Sequence, residues 1–577
     1  MLRSTKSWLT VVLFALQHSN TLGTTIHTHY CKSTPGSLTC PTEADWYALN
    51  ITIGGRLLKP APPGAICHHD QPPYDSELCK TALWTNASTY ADHPLGIINP
   101  NWSEDSCLRE PQYPCSGAGF PIYVINATCA EDVAEGVNFA REHSIRLNVK
   151  GSGHDYLGRS TAPNSLSSWT KHIRGIVLHD AFQPQQCGAC NMLPAVTLGT
   201  GEDWPGIYAA ANQRNVTLVG GTGDKIGLGG YLTGGGHSPL SATYGLAADQ
   251  VLEMDFVMAD RKVVVATEAK NTELFWAMRG ARAHQSIDPL VSLTTTSCLL
   301  PLLSLSVGAA PDSDAFWNLS SFIVSSTPRL QESGIVGYSY TAPAYPYNGT
   351  LVGGYIGGLL MPNGTVDQLE EAIAFMGDYI ATIPDIRTLF VPVQYPSLYA
   401  WNLVNKSVGP IGKNNAIGNR LLDGKALSNV KELRAAMKKA TPGGTISNLN
   451  LVAGPGLWAA EPAGGNASVT PAWRKAYVEY VVSVQWPFRN GTAKRIQTDL
   501  LTDVYMDALR ELAPETGSPL NEGDVDEPDF QNAYWGSNYD RLLEIKRRVD
   551  PTDVFWCAVC VGSEVWAEEN GGRLCRL

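Results

Sequence analysis

The chain reads as an α+β protein of more than one domain, on three observations. Short alternating strand patterns interleave with amphipathic helical ones from Tyr123 to about residue 280. A second set, with a helix over Val366 to Ile380 and a strand over Val478 to Trp486, suggests a further sheet covered by helices between about 320 and 520. Two glycine-rich loops punctuate the first set at places where a strand or an apolar run has just ended.

Arg3 and Lys6 precede the apolar run Trp8 to Leu16, and small or polar residues lead to a cleavage point near Gly23, so residues 1–23 read as a signal peptide. The mature chain is then expected in the medium, the secretory lumen or a vacuole. N-linked glycans are expected too, from sequons at Asn50, Asn86, Asn101, Asn126, Asn215, Asn318, Asn348, Asn363, Asn405, Asn466 and Asn490. Thirteen cysteines in that setting imply disulfide bonds. Cys31, Cys40, Cys67, Cys79, Cys107 and Cys115 are expected to staple an irregular segment, 24–114. The pairs Cys187/Cys190 and Cys557/Cys560 have zinc-like spacing but no histidine at a matching distance, so no metal is expected. A net charge of −12 argues against nucleic acid, which calls for a basic stripe. Pro289 to Pro311 carries no charge but is diluted by Ser and Thr and broken by Pro301, a weak membrane candidate, and no membrane partner is expected. A small molecule is the expected partner.

From Tyr123 the pattern is regular. Tyr123 to Ile125 predicts a strand, Glu131 to His143 a helix with Val133, Val137 and Ala140 on one face, and Ile145 to Val149 a half-exposed strand. Further strands are expected at Ile176 to His179, Ala195 to Leu198, Thr217 to Val219 and Val251 to Val257, with a helix over Trp204 to Asn212. The strand after Ile145 runs into Gly151-Ser152-Gly153-His154-Asp155, followed by Arg159 and Ser160. Glycines on both sides of Ser152 let backbone N–H groups converge on an anion, and Arg159 adds a charge-assisted donor. A pyrophosphate cradle and a plain surface turn with a solvated histidine both fit. It is not the dinucleotide fingerprint, because no G-x-G-x-x-G opens a helix here. Val216 to His237 holds nine glycines in 22 residues, either a second ligand loop or a glycine-rich sheet corner. Gly353 to Gly358 suits a strand or its edge, and Gly454-Pro455-Gly456 a turn. Towards the C-terminus, Asn538 approaches a charged helix, Asp540 to Arg548, as a cap or a ligand-facing amide.

Taken together, the runs KGSGHDYLGRS (from Lys150), GLGGYLTGGGHSPLS (Gly227), YGLAADQVLEMD (Tyr244), LFWAMRG (Leu274), YWGSNY (Tyr534) and DPTDVFW (Asp550) resemble, in order and spacing, the berberine-bridge-enzyme-like branch of the vanillyl-alcohol-oxidase flavoproteins, especially its secreted fungal members. The resemblance covers about residues 30 to 575. It implies a two-subdomain FAD-binding module of the PCMH type over 115–290, a substrate domain over 320–520 whose antiparallel sheet is covered by helices, and a C-terminal segment, 521–577, that returns to the FAD module. FAD would be held by Gly151, Ser152, Gly153, His154, Asp155, Arg159, Ser160, Gly227, Gly229, Gly230, Gly234, His237 and Asn538, with His154 bonded covalently to the flavin. Relatives that add a cysteinyl link place it where this chain has Gly223, so a single link is implied. The implied activity is removal of hydride from an alcohol, sugar or secondary-metabolite intermediate, with O₂ as the final acceptor.

The chain departs from that family after Gly280, where a glycine-rich strand is replaced by ARAHQSIDPLVSLTTTSCLLPLLSLSVGAA. Residues 291–319 are therefore read as an anomalous insert, through an exon-boundary error, a damaged site or genuine divergence, with Cys298 as the odd cysteine. A redox-inactive glycoprotein that keeps the fold is the alternative function. The family's base cannot be mapped across this region. Tyr480 and Glu479, on the strand Tyr477 to Trp486, are the candidates, and alternation sends them to opposite faces. His237 is a further candidate, better suited by its loop to cofactor contact.

Overall fold

The computed structural model describes residues 30–577 apart from 189, 282–285, 293–294, 297–299, 348, 406–408 and 570. The proposed signal peptide, Cys298 and the sequon at Asn348 lie outside the described residues.

The first lobe carries two small sheets. One has four strands in the order Leu57–Leu58, Tyr123–Asn126, Leu166–Trp169 and Leu147–Lys150. Its last three strands are parallel, and a parallel pairing demands a crossover, supplied by the helix Ala130–Glu142. That helix buries Val133, Val137 and Ala140, the expected face, in one cluster with Ile125, Leu147 and Leu166. The other sheet has five antiparallel strands, ordered Ile176–Phe182, Leu193–Leu198, Ser286–Ser292, Val251–Val257 and Val263–Thr267. The helix Trp204–Gln213 packs in the same core through Trp204, Ile207 and Tyr208, with Asp203 accepting from Gly206 N at its start.

The second lobe is a seven-stranded antiparallel sheet ordered Arg387–Tyr395, Leu300–Ala309, Thr350–Leu360, Val336–Tyr347, Ile446–Leu451, Ala476–Trp486 and Asn414–Asp423. Helices Asp314–Ser325, Val366–Ala381, Val430–Ala440 and Met506–Leu512 cover one face, burying Phe316, Leu369, Leu433 and Leu509 against Tyr355, Leu449 and Val482. The stretch that departs from the family after Gly280 thus supplies backbone to both lobes, Ser286–Ser292 inside the five-stranded sheet and Leu300–Ala309, within the expected insert 291–319, inside the seven-stranded one. Pro301 is tolerated because it stands at the start of its strand. The weak membrane candidate therefore runs through strands, and among the described residues no helix is long and apolar enough to cross a membrane. The C-terminal helix Tyr539–Val549 packs through Leu542 and Ile545 in a cluster with Trp276 and Ala277 of the first lobe.

Cys67 pairs with Cys79 and Cys107 with Cys115, stapling the N-terminal segment as expected. Cys31 does not join that local set. It bonds Cys575, 544 residues away. Cys40 is unpaired, as is Cys129, so the described residues already hold two unpaired thiols. Cys187/Cys190 and Cys557/Cys560 are each disulfide-bonded, and such sulfurs are not the thiolates that zinc requires. The sequon at Asn101 is buried, with Asn101 Oδ1 accepting from Asn415 N, and is unsuited to a glycan in the folded chain.

Candidate active site

The loop after strand Leu147–Lys150 turns at Gly153, whose φ of +79° favours glycine and whose Cβ, if present, would lie 2.2 Å from the carbonyl oxygen of Gly96. The N-terminal segment thus presses on the back of this loop and fixes its curvature. Asp155 then organises the next turn of the chain. Its carboxylate accepts from Leu157 N at 2.9 Å and Arg159 N at 3.0 Å, and pairs with Arg159 Nη2 at 3.1 Å. Asp155 and Arg159 are both buried, yet Arg159 Nη1 has no hydrogen-bond partner among the described residues and the side chain lines a cavity. A buried guanidinium with an unmade bond is costly, and an anion such as a phosphate would complete it.

The second glycine-rich loop meets the first. A Cβ on Gly227 would stand 3.1 Å from Ser152 Oγ, so only a glycine lets these backbones approach without displacement. Between the loops and the seven-stranded sheet lies a cleft open to solvent. Gly151, Ser152, Gly153, His154, Asp155, Arg159, Ser160, Gly227, Gly229, Gly230 and His237 all line it.

Two expected residues do not. Gly234 packs on the C-terminal segment, where its Cβ would fall 1.9 Å from Asn521 Oδ1. Asn538 spends its amide on Val469 O at 2.9 Å, and makes no side-chain cap to the helix behind it. His154 is half-buried, and the enclosure lowers its pKa, keeping the imidazole neutral. At Gly223 there is no thiol, and a Cβ would approach Ile226 Cδ1 to 2.8 Å.

The roof of the cleft comes from the seven-stranded sheet. Cross-strand register puts Tyr338, Asn450 and Glu479 in one row, with Asn448 in the next row on the same face. Asn450 Nδ2 donates to Glu479 Oε2 at 3.0 Å, while Asn448 Oδ1, Asn450 Oδ1 and Glu479 Oε1 have no partner among the described residues. His237 Nε2 lies 3.5 Å from Glu479 Oε2 and 3.8 Å from Glu522 Oε1, and its Nδ1 is 3.2 Å from Tyr338 Oη. Burial raises the Glu479 carboxyl and Glu522 adds to the rise, against the opposing pull of His237. Burial would lower His237, but the two carboxylates outweigh it and lift the imidazole to about 9. The three groups are best treated as one proton-holding unit. Their ligand atoms, within 4.8 Å of one another, are also close enough to share a divalent ion, although Asn450 already occupies one Glu479 oxygen.

Tyr480 points the other way. It is buried among the helices, its hydroxyl 2.7 Å from Thr441 Oγ1, which removes it from the cleft as a candidate base. Glu522, Tyr338, Asn448 and Asn450 also line or border the cleft and are absent from the sequence-level candidates. The alternation Asn448-Leu449-Asn450-Leu451 carried a readable signal, since two amides on one face of an otherwise buried strand call for a polar neighbour. Glu522, in the short turn Leu520–Glu522, had none.

A two-sheet lobe with paired glycine loops facing an antiparallel roof defines the class of the flavin-binding oxidoreductases. Residues 121–267 match the FAD binding domain family, and residues 520–561 the berberine and berberine-like family. An uncharacterized FAD-linked oxidoreductase of Arthroderma benhamiae is 32% identical over 95% of this chain and 96% of its own length. The FAD-linked oxidoreductase patO of Aspergillus clavatus is 30% identical over 95% and 94%. The crystal structure of the VAO-type flavoprotein MtVAO713 from Myceliophthora thermophila C1 superposes with a TM-score of 0.89 at 26% identity, covering 95% of this chain and all of that one. The chain belongs to the FAD-linked oxidoreductases of the VAO/PCMH-type superfamily that carry a berberine-bridge-enzyme domain. It is an FAD-dependent enzyme, which displaces the reading of a redox-inactive glycoprotein.

Proposed function

We propose that this enzyme is an exported oxidase that removes a hydride and a proton from a small organic donor, an alcohol, a sugar or a secondary-metabolite intermediate, with its FAD attached covalently through His154. The observation that carries the reading is the cleft itself, which sets a neutral, half-buried His154 and an unsatisfied Arg159 on one side and the His237, Glu479 and Glu522 group on the other. Arg159 and the backbone of the two glycine loops would hold the pyrophosphate, and His154 the flavin ring. When bound, FAD supplies a two-electron acceptor for substrate hydride and passes the electrons on to O₂.

The protein's own task is the proton. Asn448 and Asn450 line the cleft with unpartnered amide oxygens, and Glu479, buried beside Asn450, keeps a third, so together they would orient a substrate that donates, such as a hydroxyl or an amine. Glu479 is the base in this reading: Asn450 fixes one oxygen and leaves Oε1 for the substrate proton, while His237 and Glu522 spread the charge.

Acid precipitation tests the attachment. The parent pellet should remain yellow, and His154→Ala should release its flavin into the supernatant; a colourless parent pellet refutes the covalent link. A screen for peroxide release with primary alcohols, oligosaccharides and aromatic amines tests the activity and the use of O₂.

A further inference from the structure

The roof of the cleft does not end at the cleft. The row Glu479, Asn450, Tyr338 continues through Gly358 and Ser304 to Val391, and the adjacent row on the same face runs Asn448, Tyr340, Ile356, Ser306, Leu389. Outward from the cleft the second row changes from the amide of Asn448 to the ring of Tyr340 and then to the aliphatic side chain of Ile356, and past Ser306 the edge strand adds Leu389. Tyr340 is 38% exposed, Ile356 42%, Val391 41% and Leu389 60%, whereas Phe390, on the opposite face, packs against the helices. Gly358 puts no side chain between these apolar residues and Tyr338. Tyr340 and Ile356, paired directly across neighbouring strands, form an exposed apolar pair that begins beside Asn448 at a ligand cavity, which is the mark of a binding surface rather than of scattered surface residues.

We infer that this pair is a substrate shelf: the enzyme takes an elongated amphipathic donor whose hydroxyl or amine meets Asn450 and Glu479 while its apolar body lies across Tyr340 and Ile356. The inference rests on the proposed reading of the cleft and names the substrate class for it. Strands lie about 4.8 Å apart, so Ile356 stands roughly 10 Å from Asn448 and Leu389 roughly 19 Å. A small molecule suits the pair better than an added strand, because Pro392 deprives the edge strand of a donor and Arg387 charges its end.

The test is calorimetric titration of the FAD-loaded enzyme with 1-alkanols of four to twelve carbons, which reads binding and not turnover. Kd should fall at least about twofold for each added methylene, half of what full burial gives. Ile356→Asp, an exposed substitution, should leave the thermal midpoint and the shorter alcohols unchanged. It should erase the gain beyond roughly eight carbons, the chain length that spans 10 Å. Val430→Asp, equally exposed on the helical side, should do nothing. A Kd independent of chain length, or a gain untouched by Ile356→Asp, overturns the shelf. So does light scattering that finds a dimer which Ile356→Asp dissociates, since a second copy would then cover the pair. Any of these results in a protein whose pellet stays yellow leaves the flavin reading standing, and a colourless pellet refutes that reading separately.

Discussion

Replacing Glu479 with Gln removes one of the two charges that govern His237 and keeps the side-chain length and the contact with Asn450. Glu479 Oε2 and Glu522 Oε1 stand 3.5 and 3.8 Å from His237 Nε2. At an effective dielectric of about 20 those separations give gross attractions of roughly 5 and roughly 4 kcal/mol, nearly equal shares. Acting together against burial, they lift His237 from 6.5 to about 9. Because burial opposes them, each share exceeds half the net rise, or roughly 1.7 kcal/mol. Glu479→Gln should therefore bring His237 down to roughly 8 or lower, so that the imidazole loses its proton at a pH where the parent keeps it. The assay is NMR titration of ring-labelled histidine, with the His237 signal assigned by its loss in His237→Ala. A midpoint that stays near 9 refutes the electrostatic account of the cleft. In parallel, anaerobic flavin reduction by a substrate found in the screen should slow by about 10²–10³-fold, the range expected for a lost general base. Tyr480→Phe should leave that rate unchanged while costing about 1 kcal/mol of stability through its lost bond to Thr441.

Other parts of the molecule are equally open to test. In a His154→Ala background, where FAD binding becomes reversible, Arg159→Met should weaken FAD about 10- to 100-fold, read by flavin fluorescence; an unchanged Kd would mean the unsatisfied Nη1 meets no phosphate. Lys150 is buried with a single long bond to Ala91 O, and burial lowers it to about 7 with help from Lys171. The unfolded chain holds that proton up to about 10.5, so the penalty on folding is full below pH 7 and fades as pH rises towards 10.5. Parent stability should accordingly rise relative to Lys150→Met between pH 7 and 10 in urea unfolding, and a constant difference would contradict it. Removing the Cys31 to Cys575 bond by serine at both positions should cost about 2–4 kcal/mol and lower the thermal midpoint.

The elements that were legible in the sequence are those whose pattern is local. Val251–Val257 and the strand into the His154 loop are found where expected. The latter is not half-exposed: Asn148 and Lys150 are buried, because the N-terminal segment and a neighbouring strand cover that face. The helix Ala130–Glu142 follows from an apolar face at helical spacing. Gly454-Pro455-Gly456, read as a turn, instead starts the short helix Pro455–Trp458, because proline at the first helical position gives up no needed N–H. The cleft was legible on its loop side, where glycines, Arg159 and His154 fall within a dozen residues. Its roof was not, because Tyr338, Asn450 and Glu479 become neighbours only through strand pairing, 112 residues apart for Tyr338 and Asn450 and 29 for Asn450 and Glu479. The same limit hid the destination of Tyr480: alternation separates it from Glu479, but only the packed helices reveal which face is wet.

The bond between Cys31 and Cys575 sets an order of events in the making of the protein. It joins one of the earliest described residues to one of the last, 544 positions on, and so cannot form before translation is nearly finished. At about 5–20 residues per second, Cys31 waits roughly half a minute to two minutes as a thiol. During that interval Cys40, Cys67 and Cys79 emerge as closer partners. The small-loop pairs Cys67/Cys79 and Cys107/Cys115 can close while the chain is still growing, which withdraws four competitors, but Cys40 and Cys129 remain. In the folded chain the segment beside Cys31 is held against the first lobe by the bond from Ser33 N to Ser144 O, a contact supplied by residues made long before the tail. Closure of the Cys31 to Cys575 bond then reports that both ends of the chain have reached their places.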